Sequence, residues 1–411
     1  MLAFGFSLTL VSNTLEPSVL GHQVLRLAPG APSTALGLTT FAGLLVAMVV
    51  QPVVGALSDR TRSRWGRRLP YLAAGTLLLI ACLYAVAAAP FLAALVAALL
   101  ASQLGANVVQ APSQALIPDH VAASSRGRVA GLKAALDIVA FVIGRGAAGL
   151  LVAQAPRWGE AAVLAAVGVP TAVLLLALAV TAAGAREDAA AAGAGPPPSA
   201  RALAAAFRVD LRAHPAFAWW FANRFLFWAA FLILNTFLLF FLIDVAGRRE
   251  DDAQRLVGQL SLVLGGVLAV TAVAAGWLAD RVGRPPLLVA AGLLCAAGTA
   301  VVLVARDTAP LLLGAGLVGL GVGGFLSANW ALIVDIVPAA EAARYLGVAN
   351  IATAGGSALA RVLGGALIDP INRAAGSHAA GYLVVYGIAL VLFLLATATV
   401  PRITAAPAPA G

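Results

Sequence analysis

Residues 55–68 read Gly55-Ala56-Leu57-Ser58-Asp59-Arg60-Thr61-Arg62-Ser63-Arg64-Trp65-Gly66-Arg67-Arg68, and residues 276–284 read Gly276-Trp277-Leu278-Ala279-Asp280-Arg281-Val282-Gly283-Arg284. Each copy sets a small residue, a carboxylate and arginines in a tight turn after a long apolar run, the first copy being longer by four residues between its Asp-Arg and its Gly-Arg. An Asp at a helix end, with arginines in a short turn, makes charge-assisted bonds to a neighbouring helix end and locks two helices together. Arginines that only set membrane topology would account for the basic residues, but not for a repeated Gly-x-x-x-Asp-Arg.

The repeat extends beyond the turns. Adding 216 carries Ala115, Ile117, Asp119, Arg128, Gly131, Arg145 and Gly149 onto Ala331, Ile333, Asp335, Arg344, Gly347, Arg361 and Gly365. Ala and Gly recur by chance in so apolar a chain, so the Asp and the two Arg matches carry the inference of duplication.

Around these landmarks the chain is 62% hydrophobic and 10% charged, with mean hydropathy +0.97, whereas a soluble domain is roughly 25% charged. Apolar spans fall at about 2–25, 33–57, 69–89, 91–117, 128–154 and 159–183, then at about 215–243, 256–279, 286–305, 309–334, 345–368 and 379–400. Each is long enough to cross a hydrocarbon core of roughly 30 Å at about 1.5 Å per residue. The expected fold is therefore an all-α membrane protein of twelve transmembrane helices in two pseudo-symmetric six-helix bundles, residues 1–183 and 214–411. The 184–213 stretch between them holds Arg186-Glu187-Asp188, Pro196-Pro197-Pro198 and Arg201 to Arg212. Its Ala/Gly/Pro-rich tract packs no core and reads as a linker. Residues 203–211, with Phe207 and Leu211 on one side and Arg208 and the following Arg212 on another, suit a short amphipathic helix on the membrane surface.

With both termini inside, 15 Lys and Arg fall on the cytoplasmic side and 7 outside, the other 4 of the 26 lying within spans. That bias orients both termini and the linker to the cytoplasm. The net charge of +9 lies in short loops, so it sets topology and does not mark a nucleic-acid binder. Cys82 and Cys295 sit inside apolar segments, too few for a disulfide framework. Met1 runs into its span with no basic n-region or cleavage site, so the first span reads as retained. The sole lysine, Lys133, follows no glycine-rich phosphate cradle, and the histidines at 22, 120, 214 and 378 lack metal-ligand spacing. No enzymatic chemistry and no cofactor is indicated.

The turn motif resembles the loop signature of the major facilitator superfamily, Gly-x-x-x-Asp-Arg-x-Gly-Arg-Arg. The resemblance covers nearly the whole chain and implies alternating access, with a small-molecule substrate between two six-helix halves. Within the superfamily, Val50-Gln51-Pro52-Val53-Val54-Gly55 with Ser58-Asp59-Arg60 and Gly66-Arg67-Arg68-Leu69-Pro70 is similar to the sucrose-type and glycoside-pentoside-hexuronide symporters. Gln110-Ala111-Pro112-Ser113-Gln114-Ala115-Leu116-Ile117-Pro118-Asp119 is similar to the stretch before helix 5 in sucrose carriers. Three departures narrow this. The acidic pair of the melibiose-type sodium site is replaced by Ala47 and Gln51, which favours a proton over sodium. Gln114 stands where plant sucrose carriers have Arg. Gly144-Arg145-Gly146-Ala147-Ala148-Gly149 lacks the proline of the drug antiporter motif. The resemblance also places Gly55, Asp59, Arg60, Gly66, Arg67, Arg68, Gly276, Asp280, Arg281 and Arg284, with Asp119, Arg128, Asp335 and Arg344, in a cytoplasmic gate.

Ionisable residues near mid-span cost roughly 2.5–3.5 kcal/mol each even on the gentler scale, so they face a partner or a wet cavity. Here they are Glu16, Lys133, Asp137, Arg145, Arg224 and Arg361. Lys133 and Asp137, four apart, share a helix face and neutralise each other. The repeat relates Arg145 to Arg361, a pseudo-symmetric pair either aimed at the cavity or snorkelling outward. Glu16 precedes Pro17, which frees a backbone carbonyl and favours a kink. Glu16 is the first candidate for proton coupling and Asp137 the second, with Arg145 as a partner of Glu16 if the first and fifth spans adjoin. Asn13, Gln103, Asn107, Gln110, Gln114, Asn235, Asn329 and Trp330 lie on spans 1, 4, 7 and 10, which the superfamily uses to line its cavity; each equally suits interhelical bonding. The expectation is a monomeric, proton-coupled symporter of a sugar or glycoside in the cell membrane. The alternatives are an organic-anion carrier, because the buried charges sum positive, a drug antiporter, and a membrane receptor or scaffold.

Overall fold

A computed structural model describes residues 2–58, 61, 63, 65–120, 126–184, 214–337 and 342–405. Among them the regular structure is helical: α1 (Leu2–Thr14), a π-helical turn (Leu15–Val19), α2 (Leu20–Leu27), α3 (Pro32–Ser58), α4 (Leu69–Ala87), α5 (Leu92–His120), α6 (Arg126–Val152), the short α7 (Ala155–Trp158) and α8 (Glu160–Gly184). There follow α9 (Pro215–Thr236), α10 (Leu238–Asp244), α11 (Glu250–Val282), α12 (Arg284–Val304), α13 (Thr308–Ile336), α14 (Ala342–Ala375) and α15 (Ala380–Ala405). The linker expected at 184–213, apart from Gly184, lies outside the described residues.

Eleven of these helices are long and apolar enough to cross a membrane. The twelfth expected span, 2–25, is not one continuous helix. It breaks at Glu16, whose φ of −103° and ψ of 130° are extended. A residue before proline is pushed out of the helical region by the proline ring, so Pro17 opens the helix one residue ahead of itself. The span expected at 215–243 also divides, at Phe237 (φ −101°, ψ 10°). No proline is involved there. Phe237 is fully buried against Gly364 of α14, where a Cβ would stand only 2.0 Å from its ring. Seating the ring in that groove accompanies the end of α9.

The chain forms two compact units, Met1–Pro197 with Arg249–Gly258, and Pro198–Arg248 with Gln259–Gly411. In the first, α1 packs on α6 and α8, and both α3 and α4 pack on α5. Gly144 lets α6 lie close against α1: a Cβ there would sit 2.9 Å from the Leu10 carbonyl oxygen. Any larger residue would push α6 off α1. In the second unit α9 packs on α14 and α15, and α12 on α13 and α15. Its interior is aromatic, with Phe227 stacked on Phe325 at 3.6 Å and Phe241 on Tyr386 at 4.4 Å. Large apolar side chains such as Val270, Trp277 and Val304 are more than two-thirds exposed (72%, 78% and 78%). Water would penalise such a surface, whereas lipid tails accept it.

Candidate functional site

Each unit holds a buried polar cluster among the described residues of its helices. In the first unit, close packing of α1 on α6 brings Thr9 and Asn13 against Lys133, Asp137 and Arg145. Lys133 Nζ lies 2.6 Å from Asp137 Oδ2, and the Thr9 hydroxyl donates to the other carboxylate oxygen at 3.1 Å. The i, i+4 spacing therefore does pair the two charges. The Lys133 stem runs over Gly5, where a Cβ would meet its Cε at 3.4 Å. About two turns further along α6, Arg145 is buried, donates through Nε to Asn13 Oδ1 at 3.4 Å, and lies 5.0 Å from the Phe141 ring. Glu16, in the extended break of the first span, acts on Arg145 electrostatically. The unit thus contains two opposite-sign couples.

Of these groups Thr9, Asn13 and Lys133 border a cavity of about 200 Å³ lined also by Ser12, Gln110, Ser113 and Gln114, with Leu2, Gly5 and Leu8 on its apolar side. That volume lies below the roughly 300–1,000 Å³ of sites for drug-sized ligands, so it suits a small solute. Gln114 accepts from Gln51 Nε2 at 3.2 Å. Asn107 turns away into its own helix, donating to the Gln103 carbonyl at 2.8 Å.

In the second unit the centre is Arg224 on α9. It is buried and donates through Nε to Thr353 Oγ1 at 2.9 Å and through Nη1 to Asn329 Oδ1 at 2.7 Å. The rings of Trp330, Trp220 and Trp228 stand 4.6, 5.6 and 6.0 Å from its guanidinium carbon. Asn329 is held in turn: its amide donates to Asn223 Oδ1 at 3.3 Å, and its carbonyl accepts from Trp220 Nε1 at 2.9 Å. Cation–π contacts contribute about 0.5–2 kcal/mol each, enough to offset much of the roughly 2.5–3.5 kcal/mol of placing a cation at this depth. They stabilise the charge without cancelling it. Asn235 is buried on the same helix with its side-chain oxygen unpaired. Arg361, half-buried, donates to the Ser357 carbonyl of its own helix at 3.3 Å. The repeat relates Arg361 to Arg145 without giving it the same neighbours.

The two turn motifs share one local geometry. Gly66 and Gly283 both adopt φ of +86°, a region that L side chains avoid, so the glycine in each motif is a backbone requirement. Arg68 is buried and donates to Ser58 Oγ at 2.7 Å, tying the turn to the end of α3. Arg284 donates to the Ala331 carbonyl at 2.7 Å, one turn before Asp335 on α13. Arg67 is half-buried and Arg281 exposed. Gly55 and Gly276 have room: the nearest atoms to an added Cβ are Ala111 Cβ at 3.9 Å and Ser327 Oγ at 3.6 Å. Asp59 and Arg60 lie outside the described residues, as do the side chains of Asp119, Arg128, Asp280, Asp335 and Arg344.

Sequence reasoning missed Thr9, Asn223, Thr353, Trp220 and Trp228. Thr9 stands four residues before Asn13, so the helical period was available as a signal; the tryptophans read as lipid-facing until their neighbours are known. It missed two further clusters. His22 Nδ1 lies 2.5 Å from Glu250 Oε1, beside a cavity of about 410 Å³ lined also by Arg26, Glu160, Arg249 and Asp251. Beyond the last turn of α9, Asp244 accepts from Tyr382 near His378 and Asp369; burial raises its pKa, the Tyr382 bond and His378 act against that, and Asp369 adds to it.

The model of a family described as MFS/sugar transport protein matches residues 3–400. The chain is 37% identical over 95 residues to the minor myo-inositol transporter IolF of Bacillus subtilis, 23% of this chain and 22% of that protein. It is 46% identical over 46 residues to an uncharacterized symporter of Synechocystis, 11% of this chain and 8% of that one. The chain thus matches about a fifth or less of each of these relatives' length. Among solved structures, the nucleoside transporter NupG is similar at TM-score 0.72 and 13% identity, covering 97% of this chain and 98% of that one. A bacterial homologue of the human lysosomal transporter Spinster is similar at TM-score 0.73 and 14% identity, covering 98% and 95%.

Proposed function

The chain belongs to the MFS/sugar transport protein family, and on that premise we propose that it carries a small polyhydroxylated solute across the cell membrane, coupled to protons. The observation that carries the reading is the lining of the first unit's cavity. Asn13, Gln110 and Gln114 offer amides and Thr9, Ser12 and Ser113 offer hydroxyls around an already neutralised Lys133–Asp137 pair. Amides and hydroxyls match the alternating donors and acceptors of a polyol, and a charge already paired adds orientation without demanding a counter-ion.

Glu16 and Asp137 supply two places for a coupling proton. Protonating Asp137 removes the charge that holds Lys133 and changes what the Thr9 hydroxyl can donate to, so proton and solute compete for or share one set of bonds. Glu16 does the same to Arg145, at a point where the backbone is already broken. The turn motifs act as the cytoplasmic gate, biasing a two-state equilibrium without touching solute. The protein works as a monomer with both termini and the linker cytoplasmic.

The test is counterflow and uptake of labelled inositol and glucose in proteoliposomes, with and without an imposed proton gradient. Glu16→Gln is expected to lose gradient-driven accumulation yet keep exchange. Accumulation by Glu16→Gln equal to the parent's removes Glu16 from the coupling role. Labelling of a linker cysteine from outside intact cells by an impermeant reagent would overturn the orientation.

A further inference from the structure

We propose that Thr9 is a positioning residue for proton coupling: its hydroxyl relays occupancy of the first unit's cavity to the Asp137 carboxyl, so that solute and proton bind together. This rests on the proton-coupled polyol reading and states how the two ligands sense each other.

The acids stand behind the cavity wall. Thr9, Asn13 and Lys133 line the cavity, whereas Asp137, Arg145 and Glu16 are not among the described residues that do. A solute there reaches Asp137 through the groups that hold it. Lys133 Nζ lies 2.6 Å from one carboxylate oxygen, and the Thr9 hydroxyl donates to the other at 3.1 Å. Thr9 and Lys133 are thus wall and carboxylate partner at once. Thr9 is itself held in place, because Asn13 Nδ2 donates to the Thr9 carbonyl at 2.8 Å and Asn13 Oδ1 accepts from Arg145. The same strap therefore runs on from Asp137 to the Arg145–Glu16 couple.

Among the described residues, the ionisable groups around Asp137 are few. Its own helix brings Lys133 and, two turns on, Arg145. Helix α1 carries no ionisable side chain, and the π-helical turn carries Glu16, which acts on Arg145. Helix α8 carries Glu160 at its first residue, bonded to Arg26.

A hydroxyl has one proton to donate and two lone pairs. While Asp137 is ionised, Thr9 spends its proton on Oδ1 and shows the cavity an acceptor, and Lys133 turns its charge to Oδ2. Once a proton from solvent sits on Oδ1, the carboxyl donates to Thr9 Oγ1 and the threonine proton swings to the cavity. Lys133, its counter-charge gone, donates there too. The wall passes from accepting to donating. A solute that offers its hydroxyl oxygens as acceptors favours the protonated carboxyl, and by linkage the proton favours the solute to the same degree. That is the sign symport requires.

The experiment measures proton uptake by the purified protein, in weakly buffered detergent with an indicator dye, on adding inositol or glucose, whichever the parent exchanges in proteoliposome counterflow. The parent is expected to take up protons, approaching about one per chain at saturation. Thr9→Val keeps the shape and removes the hydroxyl; uptake should fall about fivefold, as for loss of one ordinary hydrogen bond, with a smaller fall in counterflow. Thr9→Ser keeps the hydroxyl and should restore uptake. A role in packing α1 on α6 would give the reverse, with valine tolerated and serine not, and both readouts falling together. Thr9→Ala serves in place of Thr9→Val if that variant does not fold. Uptake equal to the parent's without the hydroxyl, or no uptake or proton release by a parent that exchanges solute, overturns the role of Thr9 and leaves the polyol reading standing. No exchange of either probe by the parent overturns the polyol reading and the role of Thr9 with it.

Discussion

The two units solve the problem of charge inside a membrane in opposite ways. The first sets each cation against a carboxylate: Lys133 against Asp137 at 2.6 Å, and Arg145 within reach of Glu16. The second keeps Arg224 among three indoles, an amide and a hydroxyl. Opposite-sign couples sum to no net charge, whereas an arginine held by neutral groups keeps its positive charge. The repeat, visible in the two turns with their shared glycine geometry, thus carries two different polar arrangements: paired charges in one unit, a cation among neutral donors, acceptors and indoles in the other.

The strongest way to break this contrast is to give the second unit a carboxylate. Asn329→Asp would set an acidic oxygen where Oδ1 now accepts from Arg224 at 2.7 Å, converting the lone cation into a couple. Thermal stability in detergent is expected to be unchanged or higher, because a carboxylate oxygen makes the stronger, charge-assisted bond to the guanidinium. A lower stability would show that the second unit does not accept a carboxylate against Arg224.

The converse test removes the couple from the first unit. A half-exposed pair stabilises less than a buried one, so Asp137→Leu or Lys133→Met alone should cost about 1–3 kcal/mol, and the double variant less than their sum. Unfolding in detergent across the four-member cycle measures the coupling. Additive effects would mean that the 2.6 Å contact carries no energy of its own.

A smaller and symmetric effect is expected in the turns. Gly66→Ala and Gly283→Ala each force a Cβ into φ of +86°, at about 1–2 kcal/mol. Equal losses of thermal stability would support equivalent turns; a loss at one site alone would mean that the repeat survives in sequence but not in mechanics.

Much of this architecture was legible before any coordinates. Lipid dictates a minimum apolar length, so spans announce themselves, and Pro17 announces the break at Glu16 by local sterics. Lys133 with Asp137 follows from helical period alone. The caged arginine did not follow, because Trp220, Thr353 and Asn329 lie on three different helices and only packing of α9 against α13 and α14 makes them neighbours. For the same reason the split at Phe237 was invisible: its accompaniment is a glycine on α14, far away in sequence.

Asp244 gives the mildest test of how the second unit treats acidic groups. Its carboxyl is shifted upward by burial, with Tyr382 and His378 opposing and Asp369 reinforcing the shift. An acid whose folded pKa exceeds its unfolded value binds a proton more tightly in the native state. Stability therefore falls as pH rises from the ordinary carboxylate range through the raised value, and above that window a constant penalty remains. Asp244→Asn keeps the size and removes the titration. Its melting temperature relative to the parent should be lowest at acid pH and rise as pH is raised, then level off above the raised value. The difference should be the smallest of the effects predicted, because the group keeps some contact with solvent and its Tyr382 bond favours the charged form. A pH-independent difference between Asp244→Asn and the parent would show that Asp244 ionises as freely in the folded chain as in the unfolded one. The contrast between the units would then lie in Arg224 alone.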